Sequence, residues 1–177
     1  MSVSVGNREI PLAVGAAAGA AAELVGYALV FIITSGSIRD NILRQATDIP
    51  TWKAVGWVFF NAHFVETMID LGFFGSGTGS FIGGDDGFTT LLYAIPPLVL
   101  IAAGLAVGQY GDIDEPVEAL TGAAGVVLGY LALVLVGLFL FPAQGTGPVF
   151  ATGILLAGLV YPLVFGTVGG LIATVTD

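Results

Sequence analysis

Four stretches of the chain are almost uninterrupted apolar residues, at 10–34, 88–108, 117–141 and 148–173. A helix rising ~1.5 Å per residue crosses a hydrocarbon core of ~30 Å in about 20 residues, so each stretch is long enough to be a membrane span. Helix punctuation agrees with these limits. Pro11 and Pro116 fall in the first turn of the first and third spans, where a missing backbone donor costs nothing, and Pro142 closes the third. The acidic residues before Pro116 suit the positive end of the helix dipole. Spans two and four carry Pro96-Pro97 and Pro162, where kinks are expected. A proline in the middle of a span frees carbonyls of the preceding turn, here near Leu92 and Tyr93, and these need partners at membrane depth.

The segment 51–71 breaks the pattern, because Asn61, His63, Glu66 and Asp70 interrupt an otherwise apolar run. At helical spacing, positions 59, 63, 66 and 70 fall on one stripe and Trp57, Phe60, Phe64, Met68 and Leu71 on another. That predicts an amphipathic helix, interfacial or re-entrant, with Trp52 and Trp57 at headgroup level. The glycine-rich run 72–87 after it reads as a flexible or ligand-capping loop.

Gly15 and Gly19 open a small-xxx-small face in the first span, which predicts close packing on another helix between Gly15 and Gly26. The run Gly19–Tyr27 aligns without gaps to Gly122–Tyr130. Likewise, Pro97-Leu-Val-Leu with Gly104 aligns to Pro162-Leu-Val-Phe with Gly169. The two matches keep the same order, as two hairpin halves would, with the segment 51–71 inserted into the first. The predicted fold is therefore an all-α membrane protein of four transmembrane helices in a 2+2 repeat, plus one inserted helix, forming a single integral domain.

Composition narrows the function classes. Of 177 residues, 56% are hydrophobic and 10% charged, against about 25% charged in soluble domains. The first span is too long for a signal core and lacks a basic leader, so it reads as a retained anchor. No cysteine is present, which removes disulfides, thiolate metal sites and cysteine nucleophiles. Thirteen acidic residues against four basic ones give a net charge of -9, unfavourable for nucleic acid or anionic headgroups. The Asp-rich balance with Lys53 as sole lysine points to a high-salt cell. Arg39, Arg44 and Lys53 in the first connection outweigh Arg8 on the other side, which puts that connection in the cytoplasm.

Few residues could carry chemistry. Glu23 lies halfway along the first span, where an ionised carboxylate is expensive. Two readings stand: a proton or cation site within the bundle, or a protonated acid giving one interhelical hydrogen bond to a tyrosine or a carbonyl. The freed carbonyls around Pro96, Pro97 and Pro162 would line the same pathway. His63, Glu66 and Asp70 make a weak metal set, and a solvated stripe is the simpler reading, so no metal or other cofactor is expected. Haem ligation by two histidines would need a second copy of the chain. Asp85-Asp86 offers a carboxylate pair to calcium, but the loop lacks the Lys-Ser/Thr of a phosphate-binding loop. No span holds a lysine for a Schiff base, and no Ser/His/Asp set suggests hydrolysis, so an enzyme is not expected.

The run Trp52–Val65, with Phe73-Phe-Gly, Phe81-Ile-Gly-Gly-Asp-Asp-Gly-Phe and Leu92-Tyr-Ala-Ile-Pro-Pro, resembles an uncharacterised family of small haloarchaeal membrane proteins, some labelled transporters. The resemblance covers most of the chain and implies a multi-pass protein of the cell membrane, with no substrate or catalytic residue to carry over. Two functions fit: an oligomeric transporter or channel-like protein built around Glu23, or an accessory subunit docking on another membrane protein through Trp57, Phe60 and Phe64. The expected partners are the lipid bilayer and either further copies of the chain or another membrane protein; nucleic acid is not one.

Overall fold

The apolar runs form helices throughout the computed structural model, which describes residues 2–5, 8–40, 48–111 and 116–176. Arg44 and the acidic Asp112, Asp114 and Glu115 lie outside the described residues. Among the described residues, four helices are long and apolar enough to cross a membrane: Leu12–Asp40, Thr90–Tyr110, Val117–Leu140 and Phe150–Thr176. The first runs past its expected end at Thr34, and Pro11 closes the short strand β2 (Arg8–Pro11), paired antiparallel with β1 (Ser2–Val5), rather than entering the helix.

Glycine decides how the spans pair. Gly15 meets Gly125, and Gly19 meets Val126 and Tyr130, so the first and third spans run parallel with their backbones in contact. A Cβ on Gly15 would stand 2.8 Å from the Gly125 Cα, closer than any side chain tolerates. The second and fourth spans also run parallel, with Gly104 against Gly166 and Gly108 against Gly170 and Ala173. Spans three and four are antiparallel, with Gly153 beside Leu138 and Gly166 beside Ala123 and Val126. Small residues allow this approach in lipid, where dispersion and not water exclusion holds helices together.

The prolines act differently from a simple kink. Pro96 and Pro97 occupy the first turn of the helix Ile95–Tyr110, after a 3-10 turn over Thr90–Ala94, and the Leu92 carbonyl accepts from the Ile95 N–H. The predicted mid-span break with a freed Leu92 carbonyl is therefore corrected: the prolines start the helix, where their absent donors are not needed. Ahead of Pro162 the fourth span widens into a π-helical stretch, Gly153–Val160. Widening gives the ring room against the carbonyl of the preceding turn.

The inserted segment departs most from expectation. Its helix covers only Thr51–Asn61 and is buried on every side over its last seven residues, Val55 to Asn61. An amphipathic helix over 51–71 is therefore corrected. The chain turns at 62–65, where Phe64 takes a left-handed conformation (φ 59°), Val65 N–H bonds Phe60 O and Phe64 N–H bonds Asn61 O. This is the Schellman pattern, with phenylalanine where glycine is usual. Strand β3 (Thr67–Asp70) follows, pairing antiparallel with β4 (Ser76–Gly79) and with β5 (Gly147–Pro148). The first half of the glycine-rich run, 72–79, thus completes a hairpin, with Phe73 and Phe74 fully or almost fully exposed at its tip.

Candidate buried acid–tyrosine–histidine site

The inserted helix closes the end of the bundle where the third span stops. That span ends with carbonyls lacking helical partners, and the inserted helix supplies donors. Trp57 Nε1 donates to Phe141 O at 3.1 Å and Lys53 Nζ to Pro142 O at 2.9 Å, the cation also suiting the negative end of the helix dipole. Tyr27 of the first span donates to Trp52 O at 2.9 Å. Gly56 lies under the Phe141 ring, which stacks on Tyr27 at 5.5 Å.

Beyond this helix, the turn carries His63 into the bundle, where it is fully buried. Its Nδ1 lies 2.9 Å from Phe59 O, and its Nε2 lies 2.7 Å from the hydroxyl of Tyr130 in the third span. The Phe59 and Tyr161 rings flank it at 4.9 and 5.0 Å. Tyr130, also fully buried, is hydrogen-bonded in turn to the Glu23 carboxyl of the first span. The second carboxyl oxygen, Oε2, is buried with no hydrogen-bond partner. Three polar side chains from three segments thus form one chain inside an apolar core that includes Ala22, Leu100, Val126 and Val134.

Proton positions follow from donor and acceptor counting. A carbonyl only accepts, so His63 carries its proton on Nδ1, facing Phe59 O. A neutral imidazole then presents Nε2 as an acceptor, and Tyr130 donates to it. The Tyr130 oxygen is left to accept, which requires Glu23 to be the protonated acid in this state. Burial pushes the His63 imidazole down to about 4, the Phe59 carbonyl opposing only in part, so the ring is neutral at physiological pH.

The chain belongs to DUF7978, a family of unknown function. The match covers residues 2–177. No curated protein and no solved structure matches the chain.

In this DUF7978 member the other sequence candidates scatter. Asn61 is buried and fully used: Nδ2 donates to Val65 O (2.8 Å) and Thr67 Oγ1 (3.1 Å), and Oδ1 accepts from Phe81 N–H (2.9 Å). It pins the turn. Glu66 and Asp70 are exposed, with Asp70 accepting from Gly72 N–H at 2.8 Å. The four residues therefore share no helical stripe. Among the described residues no three His, Cys, Asp or Glu side chains could hold a metal, and Asp85 and Asp86 are both exposed. Trp57 and Phe60 are buried in the core, so of the three proposed docking residues only Phe64, stacked on Tyr93 at 4.3 Å, faces outward. Pro96 and Pro162 are buried and Pro97 half-buried. Tyr130 was not singled out by sequence reasoning, although a tyrosine hydroxyl in mid-span needs a partner and so carries a signal. An apolar groove of about 590 Å³, lined by residues such as Leu12, Leu120, Leu128 and Leu163, contains none of these groups.

Proposed function

We propose that this protein is a small transporter or channel-like protein of the cell membrane, with Glu23 as its proton or cation site. The observation that carries this reading is the buried Glu23 carboxyl, joined to Tyr130 and His63 yet holding one oxygen without a partner. A bundle needs neither a buried acid nor a buried imidazole for packing, and such groups inside spans are costly. The core around them is filled by side chains, so a pathway needs more than one copy of the chain, and the working form is an oligomer. The parallel pairing of span one with three and span two with four supports a duplicated hairpin. The acidic, lysine-poor composition supports a haloarchaeal origin. In liposomes, Glu23→Gln abolishes proton- or cation-dependent flux; unchanged flux refutes this role for Glu23.

A second reading, an accessory subunit of another membrane protein, is favoured by the bare Phe73 and Phe74 at the hairpin tip. It predicts a stoichiometric partner in native membranes at high salt that is lost when both phenylalanines become serine.

A further inference from the structure

Resting on the transporter reading, we propose that the species handled at this site is the proton, and that Glu23, Tyr130 and His63 form a relay for it. The donor set does not suit calcium or magnesium as cargo at this point. Calcium takes six to eight oxygens and magnesium a near-ideal octahedron, whereas the site has one carboxyl, one hydroxyl and an imidazole whose Nδ1 is already committed to Phe59 O. Hydrocarbon from Ala22, Leu100, Val126 and Val134 fills the surroundings, and the described residues hold no metal-binding cluster. A proton needs only donors and acceptors in line.

The hydrogen-bond directions supply that line. With the His63 proton on Nδ1 facing Phe59 O, Tyr130 donates to Nε2 and its oxygen is left to accept from a protonated Glu23. In the transfer, the Glu23 O–H bond breaks as its proton joins the Tyr130 oxygen, and the original Tyr130 proton moves to Nε2. The products are a Glu23 carboxylate, an intact Tyr130 hydroxyl now donating to that carboxylate, and a His63 imidazolium with Nδ1–H still on Phe59 O. One proton has moved from the first span to the inserted segment, with no atom gained or lost. Unpartnered Oε2 is the landing point for the next proton, since the other carboxyl oxygen faces Tyr130. The groups facing the relay are Tyr130 from the third span, Tyr161 from the fourth and the Phe59 carbonyl from the inserted helix; none is charged. Lys53 is turned away, toward Pro142 O.

The test uses the purified full chain in liposomes under an imposed potential, with a pH-sensitive dye in one set and a sodium-sensitive dye in another. The relay predicts proton flux that falls at least tenfold in Tyr130→Phe, which removes one oxygen and keeps the ring, and also in Glu23→Gln. Flux of sodium or protons that Glu23→Gln abolishes but Tyr130→Phe spares overturns the relay and leaves the transporter reading standing. Absence of any flux in the wild type overturns the transporter reading, and with it the relay as a transport path. Infrared spectra of the folded wild type judge the resting chain independently of transport. The relay requires a protonated carboxyl band at neutral pH that disappears in Glu23→Gln and shifts in Tyr130→Phe. An ionised Glu23 in that measurement refutes it.

Discussion

The hydroxyl of Tyr130 and Nε2 of His63 lie 2.7 Å apart although 67 positions separate them in the chain. One belongs to a long apolar span and the other to a turn after a short buried helix. Their contact ties the inserted segment to the bundle through a polar bond where apolar packing would have sufficed. Buried polar groups held in this way cost stability when either partner is lost.

The protonation of His63 gives a pH dependence of known sign. The folded imidazole sits at about 4 and the unfolded one near 6.5, so the unfolded chain binds more protons between these values. The stabilisation is complete above about pH 6.5 and is lost as pH falls toward 4, on the order of 3 kcal/mol in total. Thermal unfolding in detergent at about pH 7 and about pH 4.5 measures it. A His63→Gln variant, lacking this titration, shows a smaller drop than the wild type; equal drops contradict the assignment.

Phe64 inverts the usual order of glycine and alanine. Its φ of 59° is left-handed, which costs a residue with a Cβ about 1 kcal/mol or more and glycine little. Both Phe64→Ala and Phe64→Gly lose the stack on Tyr93, but only glycine relieves the strain. The glycine variant is expected to be more stable than the alanine variant by about 1 kcal/mol. A thermal melt ranking alanine above glycine shows that the turn is not left-handed.

Two glycines of the first span give opposite outcomes. At Gly19 a Cβ would meet the backbone of Val126 and Tyr130, so Gly19→Ala forces the first and third spans apart and costs about 1–3 kcal/mol. At Gly36 nothing lies within 4 Å, and Gly36→Ala gains about 0.5–1 kcal/mol through helix propensity alone. Comparable melting temperatures for the two variants would remove the basis for the glycine seam.

The four spans were legible in sequence because their signal is local: apolar runs of about 20 residues or more. The glycine seams were half legible, since Gly15 and Gly19 announced a close approach without naming Gly125 and Val126 as its target. The segment after Asn61 was misread for a physical reason. Apolar residues at helical spacing continue through Phe64 and Met68, but the turn is fixed by distant groups: Phe81 N–H on Asn61 and the pairing of β3 with Gly147–Pro148. No local periodicity reports such contacts. Glu23 and His63 each stood out as costly polar residues, while their link through Tyr130 depends on the parallel register of spans one and three.

That register has a mechanical corollary. Backbones that touch through glycine leave no side-chain layer to shear, so the end of the bundle joined by Gly15–Gly125 and Gly108–Gly170 acts as a clamp. A rod bundle clamped at one end bends only at the other. The free end is where the inserted helix hangs on the carbonyls of Phe141 and Pro142 and on the Tyr27 hydroxyl, and where the fourth span widens over Gly153–Val160. Crosslinks across the clamped end should therefore leave hydrogen exchange at the other end unchanged, whereas a single tether from the inserted helix to the third span should slow it.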